Sequence, residues 1–218
     1  MFNKKILILS PHMDDEVLGC GGLIASLMEN NPKNLHIHYF NDFHPVVDNE
    51  AYKAENAKLI SHIGCTSSFT KSKSVNKLNS IPISEHISEI ESLANEFQPD
   101  TILVTFPSYN QDHRHIFDAT ITATRVHDRN YYVHNILVYE QPETLQTNRI
   151  EPKFLPHVFL PVDVDKKIEL YSMYQTQLRG HRRVEHIKYL AGVRGMQCNA
   201  PFAESFMIIR STVKMKSD

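Results

Sequence analysis

Lys4-Lys-Ile-Leu-Ile-Leu-Ser10 runs into Pro11-His-Met-Asp-Asp-Glu16 and then into Val17 to Asn30, and this succession is the pattern on which the rest of the chain is built. A short apolar run with polar bounds predicts a buried strand. The polar turn Pro11 to Glu16 leads into apolar residues at 17, 18, 23, 24, 27 and 28, a helical spacing, with Gly19, Gly21 and Gly22 crowded at its start. The same succession recurs along the chain. Leu35 to Phe40 alternates as a second strand. Asn49 to Ile63 is helical with Gly64 as its stop, and Ser84 to Phe97 is helical with Ser84 as its cap and Pro99 beyond its end. Thr101 to Phe106 is another buried strand, followed by a polar loop and a helix from Arg114 to Val126. Ile136 to Tyr139 and Phe206 to Arg210 predict strands, Lys166 to Gln177 and Val184 to Val193 predict helices, and Thr144 to Leu155 predicts a polar loop. Strands alternating with helices form βαβ units. The expectation is an α/β fold in a single domain over residues 1–218, with a mostly parallel β-sheet and helices on both faces.

A chain of 218 residues fits one domain or at most two small ones. With 41% hydrophobic and 22% charged residues the composition is that of a globular protein, which excludes a disordered chain. A net charge of −2, from 23 basic and 25 acidic residues, argues against a nucleic-acid partner, which calls for a strong basic excess. No apolar run approaches the ~18 residues that cross a bilayer. Met1 to Lys5 passes into the first strand without an apolar signal segment. Cys20, Cys65 and Cys198 are odd in number and far apart, which predicts a reducing, cytoplasmic setting without a disulfide framework.

In an open α/β sheet, ligands sit beyond the carboxyl ends of the strands. Two such ends are rich in His and Asp: Pro11 to Glu16, and Asn110-Gln-Asp-His-Arg-His115. His12 and Asp15 are three apart in a tight turn entering a helix, a spacing that can bring an imidazole and a carboxylate to one point. Asp14, between them, projects on another bearing, close to that point but free of it. Zinc takes imidazole nitrogen and carboxylate oxygen at ~2.0–2.2 Å, and a catalytic zinc needs three protein ligands and an open position. His12 and Asp15 can supply two ligands and the second loop another imidazole from His113 or His115, with His113 favoured by the adjoining Asp112 and His115 expected to point elsewhere, which leaves Asp14 to act as general base. The plainer alternative is that the three acids complement a helix N-terminus, each by about 0.3–1 kcal/mol. Three adjacent acids gain little more from one dipole than a single acid does, and they repel each other. The glycines at 19, 21 and 22 lack both phosphate-loop spacings and predict close helix–sheet packing. A ligating imidazole usually donates its other ring N–H to a carboxylate. Asp112 is placed for this, toward His113 or toward another group.

These residues carry a resemblance. Pro11-His-Met-Asp-Asp-Glu16 with Gly19-Cys-Gly-Gly22 resembles the first signature of the PIG-L/LmbE-like zinc N-deacetylases, and Asn110-Gln-Asp-His113 resembles their second. The tail is similar too, in Lys167-Ile-Glu-Leu, Tyr174-Gln-Thr-Gln177, His181-Arg-Arg183, Arg194-Gly195 and Ala203-Glu-Ser-Phe206. The resemblance implies a Rossmann-like fold and zinc held by His12, Asp15 and His113. It further implies Asp14 as general base, Asp112 as an outer carboxylate, and removal of acetyl groups from N-acetylated amino sugars or glycoconjugates. It also implies possible assembly into a homo-oligomer. Two positions depart from the pattern. Met13 replaces a proline, which should loosen the turn. Asn110 replaces a histidine assigned to the oxyanion or to the leaving amine, and an amide can donate a hydrogen bond but cannot deliver a proton, so Asp14 is left to return its own.

The expected chemistry is attack of a zinc-activated water on an amide carbonyl. Asn110, Arg182 and Arg183 are the candidate donors to the oxyanion, and losing one such donor typically costs about 2.7–4 kcal/mol. The two arginines equally suit a substrate phosphate or carboxylate, or stand as solvated charges at a helix end. Tyr139 and Glu140, at a strand's carboxyl end, are candidate pocket lining, and Glu204 either backs the site or forms a structural ion pair. Two other readings remain. A magnesium-dependent phosphotransfer or receiver-like domain also places acids after a strand. A catalytically degenerate carbohydrate-binding member is the reading that Asn110 favours.

Overall fold

A computed structural model describes Phe2 and residues 4–70, 77–127, 131–146 and 153–212. The middle of the expected loop between Thr144 and Leu155, residues 147–152, lies outside them, as does the side chain of His181. The first half of the fold runs β1 (Ile6–His12), α1 (Asp15–Asn30), β2 (Leu35–Asn41), α2 (Asn49–Ile63), β3 (Thr66–Phe69), α3 (Ile83–Phe97) and β4 (Thr101–Thr105). The second half runs α4 (Gln111–Ala123), β5 (Asn135–Tyr139), β6 (Val158–Pro161), α5 (Val164–Tyr171), α6 (Val184–Gln197) and β7 (Ala203–Ser211).

The strands form one seven-stranded sheet in the order β3-β2-β1-β4-β5-β7-β6. The pairings among β1 to β5 are parallel, and β7 runs antiparallel between β5 and β6. The mostly parallel α/β sheet expected from the sequence is therefore present. Burial on both faces explains the continuous apolar run of β1. Ile6 and Ile8 face a core shared with α1, α2, α5 and α6, while Leu7 and Leu9 face a second core shared with α3 and α4. Each such side chain contributes roughly 1.5–3 kcal/mol on leaving water.

The chain moves from β1 outward to β2 and β3, then returns to β4 on the other flank of β1. The gap between the carboxyl ends of β1 and β4 is thus the point where the winding reverses, the usual ligand position in such sheets. Close packing of α1 onto the sheet depends on its glycines. A Cβ on Gly19 would lie 2.1 Å from the Tyr139 ring, and one on Gly22 would lie 2.6 Å from Val162.

Several boundaries differ from expectation for identifiable reasons. Helix α4 starts at Gln111 rather than Arg114, because the Asn110 side chain accepts the Asp112 N–H at 2.9 Å and caps it. Helix α3 starts at Ile83, so Ser84 lies inside it and Pro82 stands at its cap position. Helix α5 begins at Val164, where Asp163 accepts from the N–H groups of Asp165 and Lys166, and it ends at Tyr171 rather than continuing to Gln177. Strands β3 and β6 were not anticipated.

Candidate metal centre

The first signature folds as a strand end, a strained turn and a helix start. Asp14 occupies the cap position of α1 with φ 119° and ψ −29°. This conformation costs a non-glycine residue about 1–3 kcal/mol and persists only where its surroundings impose it. Glu16 does much of the imposing. Its carboxylate accepts the Asp14 N–H at 3.0 Å, the Ser10 hydroxyl at 3.2 Å, and the hydroxyls of Tyr39 and Tyr174 at 3.1 and 2.8 Å. The Tyr52 hydroxyl donates to the Met13 carbonyl, and the Met13 side chain is fully buried in the core. The third acid of the run is therefore a buried clamp on the turn rather than a surface complement to the helix dipole.

That clamp brings His12 and Asp15 together with His113 from the first turn of α4. One ligand atom from each of the three lies within 4.8 Å of the others. The Asp15 carboxylate oxygen Oδ2 is 3.1 Å from His12 Nδ1 and 3.3 Å from His113 Nε2. The remaining ring nitrogens are held by other carboxylates, His12 Nε2 by Asp112 at 3.1 Å and His113 Nδ1 by Glu143 at 2.8 Å. The question left open for Asp112 is thereby answered: it reaches His12, not His113. Its second oxygen accepts the Leu78 N–H at 2.9 Å. Gln141 donates to the other Asp15 oxygen at 2.9 Å.

The residues fit a cation. Asp14 Oδ1 and His113 Nε2 are both buried and have no hydrogen-bond partner. Four carboxylates, those of Asp14, Asp15, Asp112 and Glu143, surround two imidazoles, and such a group calls for compensating positive charge. The titration behaviour of the side chains reflects this. Burial disfavours charge on His12, but hydrogen bonds to Asp112 and Asp15 prevail and raise it to about 9. For His113 burial is likewise outweighed, by Asp15 and Glu143, and it rises to about 10. Burial pushes the Asp15 carboxyl up, yet His113 and then His12 pull it well below the usual range. Asp14 moves the other way: burial raises it to about 6, with Arg182 opposing. Two imidazoles and one carboxylate suit zinc or a similar transition ion better than a hard, all-oxygen cation.

Above these groups lies a cavity of about 260 Å³, lined by His12, Asp14, Asn41, His44, Asn110 and Arg182 among others. Arg182 Nη1 donates to Asp14 Oδ2 at 2.5 Å and lies 3.3 Å from Gln177 Oε1. Arg183 is exposed and does not line this cavity. Tyr139 is fully buried against Gly19, with its hydroxyl on the Leu9 carbonyl at 3.2 Å, and it too lies away from the cavity. Glu140 turns toward Arg194, whose Nε donates to it at 2.6 Å, and toward Ser205 at 2.7 Å. Glu204 forms a buried ion pair with Lys167 and stands apart from the candidate metal centre. His115 faces His86 at 3.0 Å, and His86 lines a separate cavity of about 470 Å³ between α3 and β3. Sequence reasoning missed Glu143 and Gln141. They follow the carboxyl end of β5, the same kind of position that singled out the other two loops, but that rule alone pointed to Tyr139 and Glu140.

A family model described as GlcNAc-PI de-N-acetylase, PIG-L, matches residues 7–124. Among solved structures, a conserved protein of Thermus thermophilus superposes with a TM-score of 0.77 at 16% identity, covering 99% of both chains. The N,N'-diacetylchitobiose deacetylase of Pyrococcus horikoshii gives 0.74 at 17% identity, over 94% of this chain and 84% of its own. The 4-carboxy-2-hydroxymuconate hydratase of Pseudomonas putida gives 0.75 at 17% identity, over 99% of this chain and 100% of its own. No curated protein sequence matches the chain at a significant level. A deacetylase and a hydratase on one fold show that the fold does not choose the reaction. The matched residues, however, contain both loops that build the candidate centre and span more than half of the sequence, and the chain belongs to the PIG-L family.

Proposed function

We propose that the protein is a zinc-dependent N-deacetylase acting on an N-acetylated amino sugar or its conjugate in the cytoplasm, with residues 1–218 serving as one deacetylase domain. The observation that carries this reading is the convergence of His12, Asp15 and His113 beside the buried, unpartnered Asp14 Oδ1. Bound by these three residues, zinc supplies Lewis acidity, polarising an amide carbonyl and making water a better nucleophile at neutral pH. Asp14 then takes a proton from the attacking water as a C–O bond forms at the carbonyl carbon. The C–N bond breaks, and the leaving nitrogen receives its proton back from Asp14. This accounts for all protons without a histidine at 110. The Asn110 oxygen is engaged in capping α4, so its amide nitrogen is the group left to donate toward the oxyanion from the cavity wall. A magnesium phosphotransfer site would leave both imidazoles, the half-buried His12 and the buried His113, without a purpose.

Acetate release from N-acetylglucosamine conjugates tests the reading. Chelation is expected to abolish release, and added zinc, but not magnesium, is expected to restore it. Release that survives complete metal removal would refute it.

Arg182 is assigned here to Asp14 rather than to the substrate. It holds one carboxylate oxygen and leaves the other buried and without a partner. Arg182→Ala is therefore expected to lower kcat by roughly tenfold or more, in line with losing a charge-assisted hydrogen bond of about 1.5–3 kcal/mol, with KM changed little. A rise in KM at constant kcat would return Arg182 to substrate binding.

A further inference from the structure

We propose that Glu143 is a positioning residue for the cation, acting through His113. The proposal rests on the zinc reading above and assigns a function to a residue outside both signature loops. His113 is fully buried, and its Nδ1 lies 2.8 Å from Glu143 Oε1. The Ser108 hydroxyl donates to the same oxygen and itself accepts the Asn110 N–H at 3.1 Å, so the carboxylate is fixed from two sides. A carboxylate only accepts hydrogen bonds. Facing Glu143, a neutral His113 carries its proton on Nδ1, so the lone pair available to a cation is the one on Nε2. That is the buried atom with no hydrogen-bond partner, 3.3 Å from Asp15 Oδ2. Asp112 does the equivalent for His12, taking its Nε2 while Nδ1 faces Asp15.

The same turn after β5 contributes twice. Gln141 donates to Asp15 Oδ1 at 2.9 Å, so the segment 141–143 orients two of the three ligands. Its position is fixed by Glu140, which is tied to Arg194 and Ser205. The β5 turn is therefore a third wall of the centre, contributed by a segment that contains no ligand.

An amide at 143 can present either its oxygen or its NH2 group to the ring, and so no longer dictates the tautomer. Outer partners of ligating histidines typically set metal affinity by 10–100-fold. Purified wild-type, Glu143→Gln and Glu143→Ala proteins, stripped of metal, are titrated with zinc against a chromophoric chelator. The tautomer of His113 is read from its ring nitrogen resonances by NMR, in the metal-free proteins at a pH high enough for the ring to be neutral. Glu143→Gln is nearly isosteric and carries the test even where the alanine variant fails to fold. The expected result is roughly 10–100-fold weaker zinc binding, with His113 no longer held solely as the Nδ1–H tautomer. A residue of merely structural importance would not move that tautomer in a folded protein. Zinc affinity within twofold of wild type and an unchanged tautomer would overturn the proposal, as would a wild-type protein that binds no zinc at this centre. Wild-type protein that binds zinc but releases no acetate defeats the deacetylase reading alone and leaves this one standing.

Discussion

Asp14→Asn is expected to reduce acetate release by about 10²–10⁴-fold, the range over which a positioned general base acts, while the protein still binds one equivalent of zinc. The separation of the two readouts follows from the geometry. Asp14 is not among the three convergent residues; its Oδ2 is taken by Arg182 and its Oδ1 has no partner. Asparagine has almost the same shape and tolerates a positive φ better than most residues, so the strained turn at 119° survives. Glu16 continues to hold the residue's backbone N–H. What is lost is the ability to accept and return a proton. A variant that keeps release within threefold of wild type would eliminate Asp14 as the base. One that loses zinc as well as activity would place Asp14 among the ligands.

The candidate metal centre was legible because its main parts are local. His12, Asp14 and Asp15 occupy one turn, and the rule that ligands gather beyond strand ends linked them to His113. The same rule led to the end of β5 but to the wrong residues there. Tyr139 faces the core against Gly19 and Glu140 faces Arg194, whereas the chain turns only at Gln141 and Glu143 and so brings these two to the centre. A strand end marks a neighbourhood; which side chain enters it depends on the turn, and no local pattern in this stretch encodes that turn. Strands β3 and β6 were unreadable for a related reason. Each has four residues, lies at a sheet edge and is only partly buried, so neither periodicity nor a long apolar run marks it. Their identity comes from the registers Thr66–Phe69 against β2 and Val158–Pro161 against β7. Asn110 shows the opposite case. Its replacement of histidine suggested a loss of chemistry, while the structure gives the side chain a local task as the cap of α4.

The tail residues of the family pattern turn out to hold the fold around the centre, and this sets a second large expectation. Lys167 Nζ lies 2.7 Å from Glu204 Oε1, with side chains only 5% and 2% exposed. Glu204 also accepts the N–H groups of Gly22 at 2.7 Å and Leu23 at 3.0 Å, so it ties β7 to the middle of α1. The Lys167 stem runs over Gly21, where a Cβ would lie 2.8 Å from its Cγ. Removing one partner of a buried pair leaves the other charge uncompensated and typically costs about 3–5 kcal/mol. Lys167→Met keeps most of the stem and removes the charge, so it is expected to destabilise by that amount. At about 2–4 °C per kcal/mol for a chain of this size, thermal unfolding should shift downward by roughly 6–20 °C. The double variant Lys167→Met/Glu204→Gln should recover part of the loss, because the amide oxygen still accepts from α1 without burying a lone charge. Both outcomes are read from chemical denaturation. A Lys167→Met protein within 1 kcal/mol of wild type (on the scale where most surface changes fall within about 0.5 kcal/mol) would mean that the two α1 N–H groups alone satisfy the Glu204 carboxylate. The pair would then contribute orientation of α1, and with it of the Asp14 turn, rather than stability.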